Sequence, residues 1–214
     1  SIAPQDRAGA SSCSFIARSV TDPKINGEGI SMTPDEARAI MHEWVANPAL
    51  RAHMECVALC MAAYADKLAT QDRERWIVCG LLHDFDYERH PTREEHPFVG
   101  VKHLESLGVD EDIRTAILGH ATYSNVPRET PMAKVLFAVD ELAGFLVACS
   151  KVRPDGFATL NPKSVAKKLK QASFAAAVNR DEIRKGIEEL GVDFDTHVQQ
   201  CIEAIRPEAA RLGL

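Results

Sequence analysis

An apolar run, Gly80-Leu81-Leu82, ends on His83 and Asp84, a histidine and a carboxylate adjacent in the chain. Imidazole nitrogen and carboxylate oxygen are common protein ligands for divalent metals, and neighbours at a helix end can face one ion. A His-Asp dipeptide alone is weak evidence, since a helix can simply close on a polar pair. The pair gains weight from other candidate ligands: His53 upstream, then His96, His120 and Asp140 downstream. Each stands in or beside a helix-patterned segment, so any shared chemistry depends on whether five segments converge.

The elements that must position these residues are legible as helices. Thr33-Pro34-Asp35-Glu36 reads as a helix start, with a threonine cap, proline at the first position and a glutamate able to return a hydrogen bond. That helix should stop near Asn47-Pro48. The next places Leu50, Met54, Val57, Met61, Tyr64 and Leu68 at intervals of three and four, with His53 on the edge of this core-facing stripe. A third, from about Asp72 to Leu82, delivers His83 and Asp84 at its end. Thr92 to Glu95 repeats the capping pattern, which predicts His96 in the first turns of a fourth helix ending at Gly108; Asp110 should cap a fifth, with His120 near its end.

Pro131 opens the most informative helix. Between Lys134 and Lys151 its only charged residues are Asp140 and Glu141, set among Val135, Leu136, Phe137, Val139, Leu142, Phe145 and Leu146. A helix apolar nearly all round is central to its domain. A carboxylate buried there costs several kcal/mol unless it is paired or metal-bound, so Asp140 needs a positive partner. Further helices are expected near 162–173, 181–190 and 194–205. No alternating strand pattern, internal repeat or glycine-rich phosphate loop is present, and the fold class is all-α.

Composition narrows the setting. The chain of 214 residues is 45% hydrophobic and 26% charged, ordinary for a globular protein, and its net charge of −6 argues against generic nucleic-acid binding. Six cysteines without close pairing read as free thiols in a reducing compartment, which points to the cytoplasm; Cys56, Cys60 and Cys79 read as small buried residues rather than zinc ligands. No apolar run reaches the ~20 residues needed to cross a membrane. Residues 1–30 read as a flexible tail, with a transit peptide the alternative, and residues 31–214 as one helical domain. His42, His90, His103 and His197 read as surface or structural.

The order His53, His83-Asp84, His96, His120, Asp140 resembles the HD-domain superfamily of metal-dependent phosphohydrolases, named for its His-Asp doublet. The likeness rests on a helical histidine, then LLHD, then an aspartate in the apolar helix FAVDELAGF. The stretches EEHPFVG and AILGHA resemble the two extra histidines of the subgroup that holds two metals. Other segments, GLLHDFDYE, DELAGFLVACSKVRP and KSVAKKLKQASFAAAVNR, look like a group of predicted HD hydrolases of unassigned substrate, a likeness spanning roughly 33–205. The resemblance implies an HD-type helical bundle with the metal site at its centre and extra C-terminal helices. It also implies that His53, His83, Asp84 and Asp140 bind one metal, and that Asp84 bridges to a second held by His96 and His120. The ions would be one or two divalent metals per chain (Fe, Mn, Co, Ni or Mg), generating hydroxide from water near neutral pH.

The implied activity is hydrolysis of a small phosphorylated metabolite, a phosphomonoester or phosphodiester with nucleotides among the candidates. Two alternatives stand beside it: an HD-type di-iron oxygenase, which needs the same six ligands, and a non-catalytic ligand-sensing domain. Partners other than a small-molecule substrate, whether nucleic acid or membrane, are not expected, and the oligomeric state stays open. Where many relatives have lysine three residues after the HD aspartate, this chain has Tyr87, preceded by Asp86. Tyr87 is expected to meet a phosphate oxygen and Asp86 to join Asp84 in catalysis by orienting a metal-bound water. Positive charge for the phosphate is expected from residues 151–185, which hold nine basic and three acidic residues, a local charge of +6. Arg153 is the best bidentate candidate, with Lys163 and Lys167 on one helix face beside it.

Overall fold

Among the residues described by the computed structural model, 32–68 and 71–214, all regular structure is helical. The expectation of a tail over 1–30 lies outside the described residues. The helices are α1 (Pro34–Trp44), α2 (Pro48–Lys67), α3 (Arg73–Leu82), α4 (Phe98–Ser106), α5 (Glu111–His120), α6 (Pro131–Lys151), α7 (Pro162–Leu169), α8 (Arg180–Leu190) and α9 (Phe194–Ile205). Short 3-10 turns follow α5 and α9.

The long helices α2 and α6 form the centre. α2 packs on α3, α6 and α9, and α6 packs on α5 and α8, so the helix of Asp140 touches those of His53 and His120. Both helices start where local chemistry dictates. The Asn47 side chain accepts from the Ala49 and Leu50 N–H groups, Thr130 Oγ1 accepts from Ala133 N, and each helix has proline at its first position. α1 opens with the predicted reciprocal cap between Thr33 and Glu36. One cluster of buried apolar side chains runs from Ala37 to Ala209.

A glycine sets the approach of α3. A Cβ on Gly80 would fall 2.6 Å from Ala58 Cα, so only glycine lets α3 lie against α2 this closely. The end of α3, which carries His83 and Asp84, is thereby seated beside the helix of His53.

Two boundaries differ from expectation. Residues 92–97 form turns and α4 begins at Phe98, so His96 lies just before the helix rather than on it. The Thr92 hydroxyl does meet Glu95, but the His96–Pro97 peptide is cis and the helix starts only beyond it. Asp110 precedes α5 without capping it, because its carboxylate receives Arg75 Nε at 3.0 Å instead.

Candidate metal centre

Four helices and one turn bring the six candidate ligands together. His53 comes from the second turn of α2, His83 and Asp84 from the end of α3, His96 from the turn before α4, His120 from the last residue of α5 and Asp140 from the middle of α6. They form two groups whose ligand atoms lie within 4.8 Å of one another: His53, His83, Asp84 and Asp140 in one, Asp84, His96 and His120 in the other. Asp84 belongs to both.

Its two oxygens divide the work. Asp84 Oδ2 lies 3.5 Å from His83 Nε2 and 3.9 Å from His53 Nε2, while Oδ1 lies 3.3 Å from both His96 Nε2 and His120 Nε2. Asp140 Oδ1 closes the first group at 3.0 Å from His53 Nε2 and 3.4 Å from His83 Nε2. Two atoms each about 2.1 Å from a shared ion stand roughly 3.0 to 3.4 Å apart at angles between about 90° and 109°. Most of these separations are in that range.

Three of the imidazoles are fixed so that Nε2 faces the centre. Nδ1 donates to Gly80 O in His83 (2.8 Å), to Ile117 O in His120, and to Asp86 Oδ1 in His96 (2.7 Å). Such partners set the tautomer, leaving a lone pair on Nε2. His83 Nε2 is buried and makes no hydrogen bond, an expensive state for a polar atom unless a cation uses the lone pair. His96 Nε2 and His120 Nε2 face each other at 3.3 Å with both Nδ1 atoms already donating. A cation held there would relieve that opposition. The donor set fits divalent metal ions.

The charges tell the same story. Burial opposes ionisation of Asp84, but His83 and His120 hold its carboxyl well below the usual range; His83 and His53 do likewise for Asp140. Burial also opposes a proton on His83 and His120, yet Asp84 and Asp140 outweigh it, raising His83 and lifting His120 to about 9. The two carboxylates draw positive charge into a buried site, a demand that protons or metal ions can meet.

The cluster opens into a cavity of about 290 Å³ whose lining includes Tyr87, Tyr123, Glu141, Gly144 and Glu182. Tyr87 is 46% exposed and packs edge-on to His96 with ring centroids 5.1 Å apart, beside the ligands as expected. Asp86 is a correction. It is 1% exposed, its Oδ1 holds His96 Nδ1 and its Oδ2 accepts Gly100 N–H at 2.7 Å, so it steadies a ligand from behind and does not face the cavity.

The basic residues are a second correction. Arg153 and Lys167 line a separate cavity of about 380 Å³, where Arg153 Nη2 is bound by Thr159, and Lys163 is exposed. The reason is the length of α6, which carries the chain 11 residues from Asp140 to Lys151, roughly 16 Å at 1.5 Å per residue, and Arg153 lies beyond its end. The chain does fold back to the metal cavity, but through the start of α8. There Asn179 N donates to Glu141 Oε2 at 3.0 Å and Glu182 joins the lining, bringing acidic side chains in place of lysines.

Sequence reasoning did not assign Glu141, Glu182 or Tyr123 to the site. Glu141 was legible as the second charge in an apolar helix; burial and neighbouring Asp140 push its carboxyl up to about 7. Tyr123, whose hydroxyl donates to His96 O, and Glu182 carry no local signal because tertiary packing alone brings them there. His197, read as surface or structural, is wholly buried between Tyr64 and Ala138 O and is structural. Cys56, Cys60, Cys79, Cys149 and Cys201 are buried free thiols.

The centre of the helical bundle is thus a histidine–carboxylate cluster that could hold metal, with Asp84 common to both groups. Residues 50–144 match the HD domain, a stretch that encloses all six candidate ligands and supports membership of the HD-domain superfamily. Most members of that superfamily are metal-dependent phosphohydrolases. No curated protein and no solved structure matches the chain. Among the described residues no helix is long and apolar enough to cross a membrane.

Proposed function

We propose that the protein is a two-metal hydrolase of a small phosphorylated metabolite, acting on a phosphomonoester or phosphodiester. The observation that carries this reading is the division of Asp84: one oxygen directed to His53 and His83, the other to His96 and His120. Two divalent ions so held would supply Lewis-acid charge and lower the pKa of water toward neutrality. His53, His83 and Asp140 would hold one ion and His96 and His120 the other, with Asp84 common to both groups. Tyr87 borders the cavity beside His96, placed to hydrogen-bond a non-bridging phosphate oxygen. Buried free thiols suit a reducing compartment, and we assign the protein to the cytoplasm.

A second reading has one specific observation in its favour. Among the described residues no lysine or arginine lines the metal cavity, so phosphate binding would rest on the ions and on neutral side chains such as Tyr87. A di-iron oxygenase needs no such cation. The test is to load the protein with Mn, Co, Ni, Mg or Fe, assay a panel of phosphorylated metabolites for release of phosphate or of a phosphomonoester, and assay the iron form for dioxygen uptake. Hydrolysis of any phosphoester by any metal form supports the hydrolase; substrate-dependent dioxygen uptake without such hydrolysis overturns it.

A further inference from the structure

The metal cavity does not end at the ligands. A second cavity of about 510 Å³ adjoins it, and His53, Tyr87 and Gly144 line both. Leu50, Pro91 and Val147 make the second cavity largely apolar; among the described residues Lys151 is the one lysine or arginine on its wall and Glu88 the one carboxylate. One stripe of α6 floors the pair: Asp140, Gly144, Val147 and Lys151 follow at i, i+4, i+7 and i+11. At 1.5 Å per residue the stripe spans roughly 16 Å from ligand to lysine.

Gly144 stands where the cavities meet, and packing does not require it. A Cβ would lie 2.6 Å from the nearest atom at Gly80, 2.7 Å at Gly100 and 2.7 Å at Gly186, so those positions exclude a side chain. At Gly144 the nearest atom is His53 Nδ1 at 3.8 Å, an ordinary contact. Glycine inside a helix is less stable than alanine, and no neighbour demands it here. Its missing side chain leaves room on the wall that the metal cavity and the apolar one share.

We propose that the substrate is an elongated amphipathic phosphoester: its phosphate lies at the histidine–carboxylate cluster and its apolar body passes over Gly144 into the cavity beside Val147, with an anionic far end reaching Lys151. This rests on the hydrolase reading above and names its substrate class. In the reaction a water oxygen bonds to phosphorus as the ester P–O bond breaks. The departing oxygen takes a proton, leaving the apolar alcohol in the second cavity and inorganic phosphate, or a phosphomonoester from a diester, at the cluster.

The test is binding of non-hydrolysable alkylphosphonates, methyl to decyl, to metal-loaded protein by calorimetry, with the matching alkyl carboxylates as a second series. Affinity is expected to rise about three- to fourfold per methylene until the cavity is filled, as buried CH₂ groups require. An ω-carboxylate on the longest chain should tighten binding further, and Lys151→Ala should abolish that increment. Gly144→Leu should flatten the chain-length series, compared at matched metal content. Gly144→Ala, with room for its methyl, should retain the slope, and Val147→Asp should flatten it from within the cavity. A flat series in the wild type, or a slope unaffected by both Gly144→Leu and Val147→Asp, overturns the proposal. A slope with carboxylates when phosphonates fail to bind leaves the channel standing and refutes the phosphate reading beneath it.

Discussion

His96 Nδ1 lies 2.7 Å from Asp86 Oδ1, and the other oxygen of that buried carboxylate is held by the backbone N–H of Gly100. The arrangement aims His96 Nε2 at Asp84 without exposing Asp86 to the cavity. A partner behind a metal-bound histidine commonly contributes about 10- to 100-fold in metal affinity. Asp86→Ala is therefore expected to weaken one of two metal sites by that amount while sparing the site of His53, His83 and Asp140. Gly100→Ala should act alike, since its Cβ would fall 2.7 Å from the Asp86 carboxylate. Metal titration followed by calorimetry checks both; equal loss at the two sites would show that Asp86 supports the whole cluster instead.

Asp140→Asn should remove metal and activity from the first site yet leave a folded helical protein. In the metal-free state His83 and His53 offset the repulsion between Asp84 and Asp140, so losing the Asp140 charge should lower stability while the helical bundle stays folded. Circular dichroism and metal analysis of the variant decide this. Normal metal content with full activity would exclude Asp140 as a ligand.

Arg153→Ala, Lys163→Ala and Lys167→Ala are each expected to keep kcat/KM within about twofold of wild type, less than ~0.5 kcal/mol. Arg153 and Lys167 line a different cavity from the metals, and Lys163 is exposed. A loss of tenfold or more in any of the three, measured on the best phosphoester found by screening, would place the basic segment back at the substrate.

His197 makes a separate prediction about stability. Burial lowers its pKa to about 4, and both ring nitrogens are committed, one to Tyr64 and one to Ala138 O. In the unfolded chain the same group titrates near 6.5. Between those values the unfolded state binds the extra proton, so stability is flat above 6.5 and falls as pH drops toward 4, by about 3 kcal/mol at most. Urea unfolding at pH 7.5 and pH 5 should show this slope in wild type and a shallower one in His197→Gln. Identical slopes would mean that His197 is protonated inside the fold.

The parts of this account legible in the sequence share a physical cause. The helices of His53 and Asp140 announce themselves by apolar spacing, caps and prolines, and a carboxylate inside an apolar helix already demands a cation. The six candidate ligands were readable for that reason, and the structure brings them together. What stayed hidden depends on direction rather than type. Asp86 stands two residues from a ligand yet points into the protein, because Gly100 offers a backbone N–H there. The lysines of α7 have the right charge but lie past the end of α6, and no local pattern encodes that distance. Glu182 reaches the cavity only through the packing of α8 on α6.

The bridging role of Asp84 is the claim on which everything else depends, and metal content measured by mass spectrometry in wild type and Asp84→Ala tests it most directly. Wild type purified with saturating Mn, Co or Fe should hold two ions per chain, while Asp84→Ala should fall below one, because each site loses a ligand and the neighbouring histidines lose the charge that draws a cation. One ion or none in the wild type, or two retained in Asp84→Ala, would contradict a shared carboxylate at the centre of this fold.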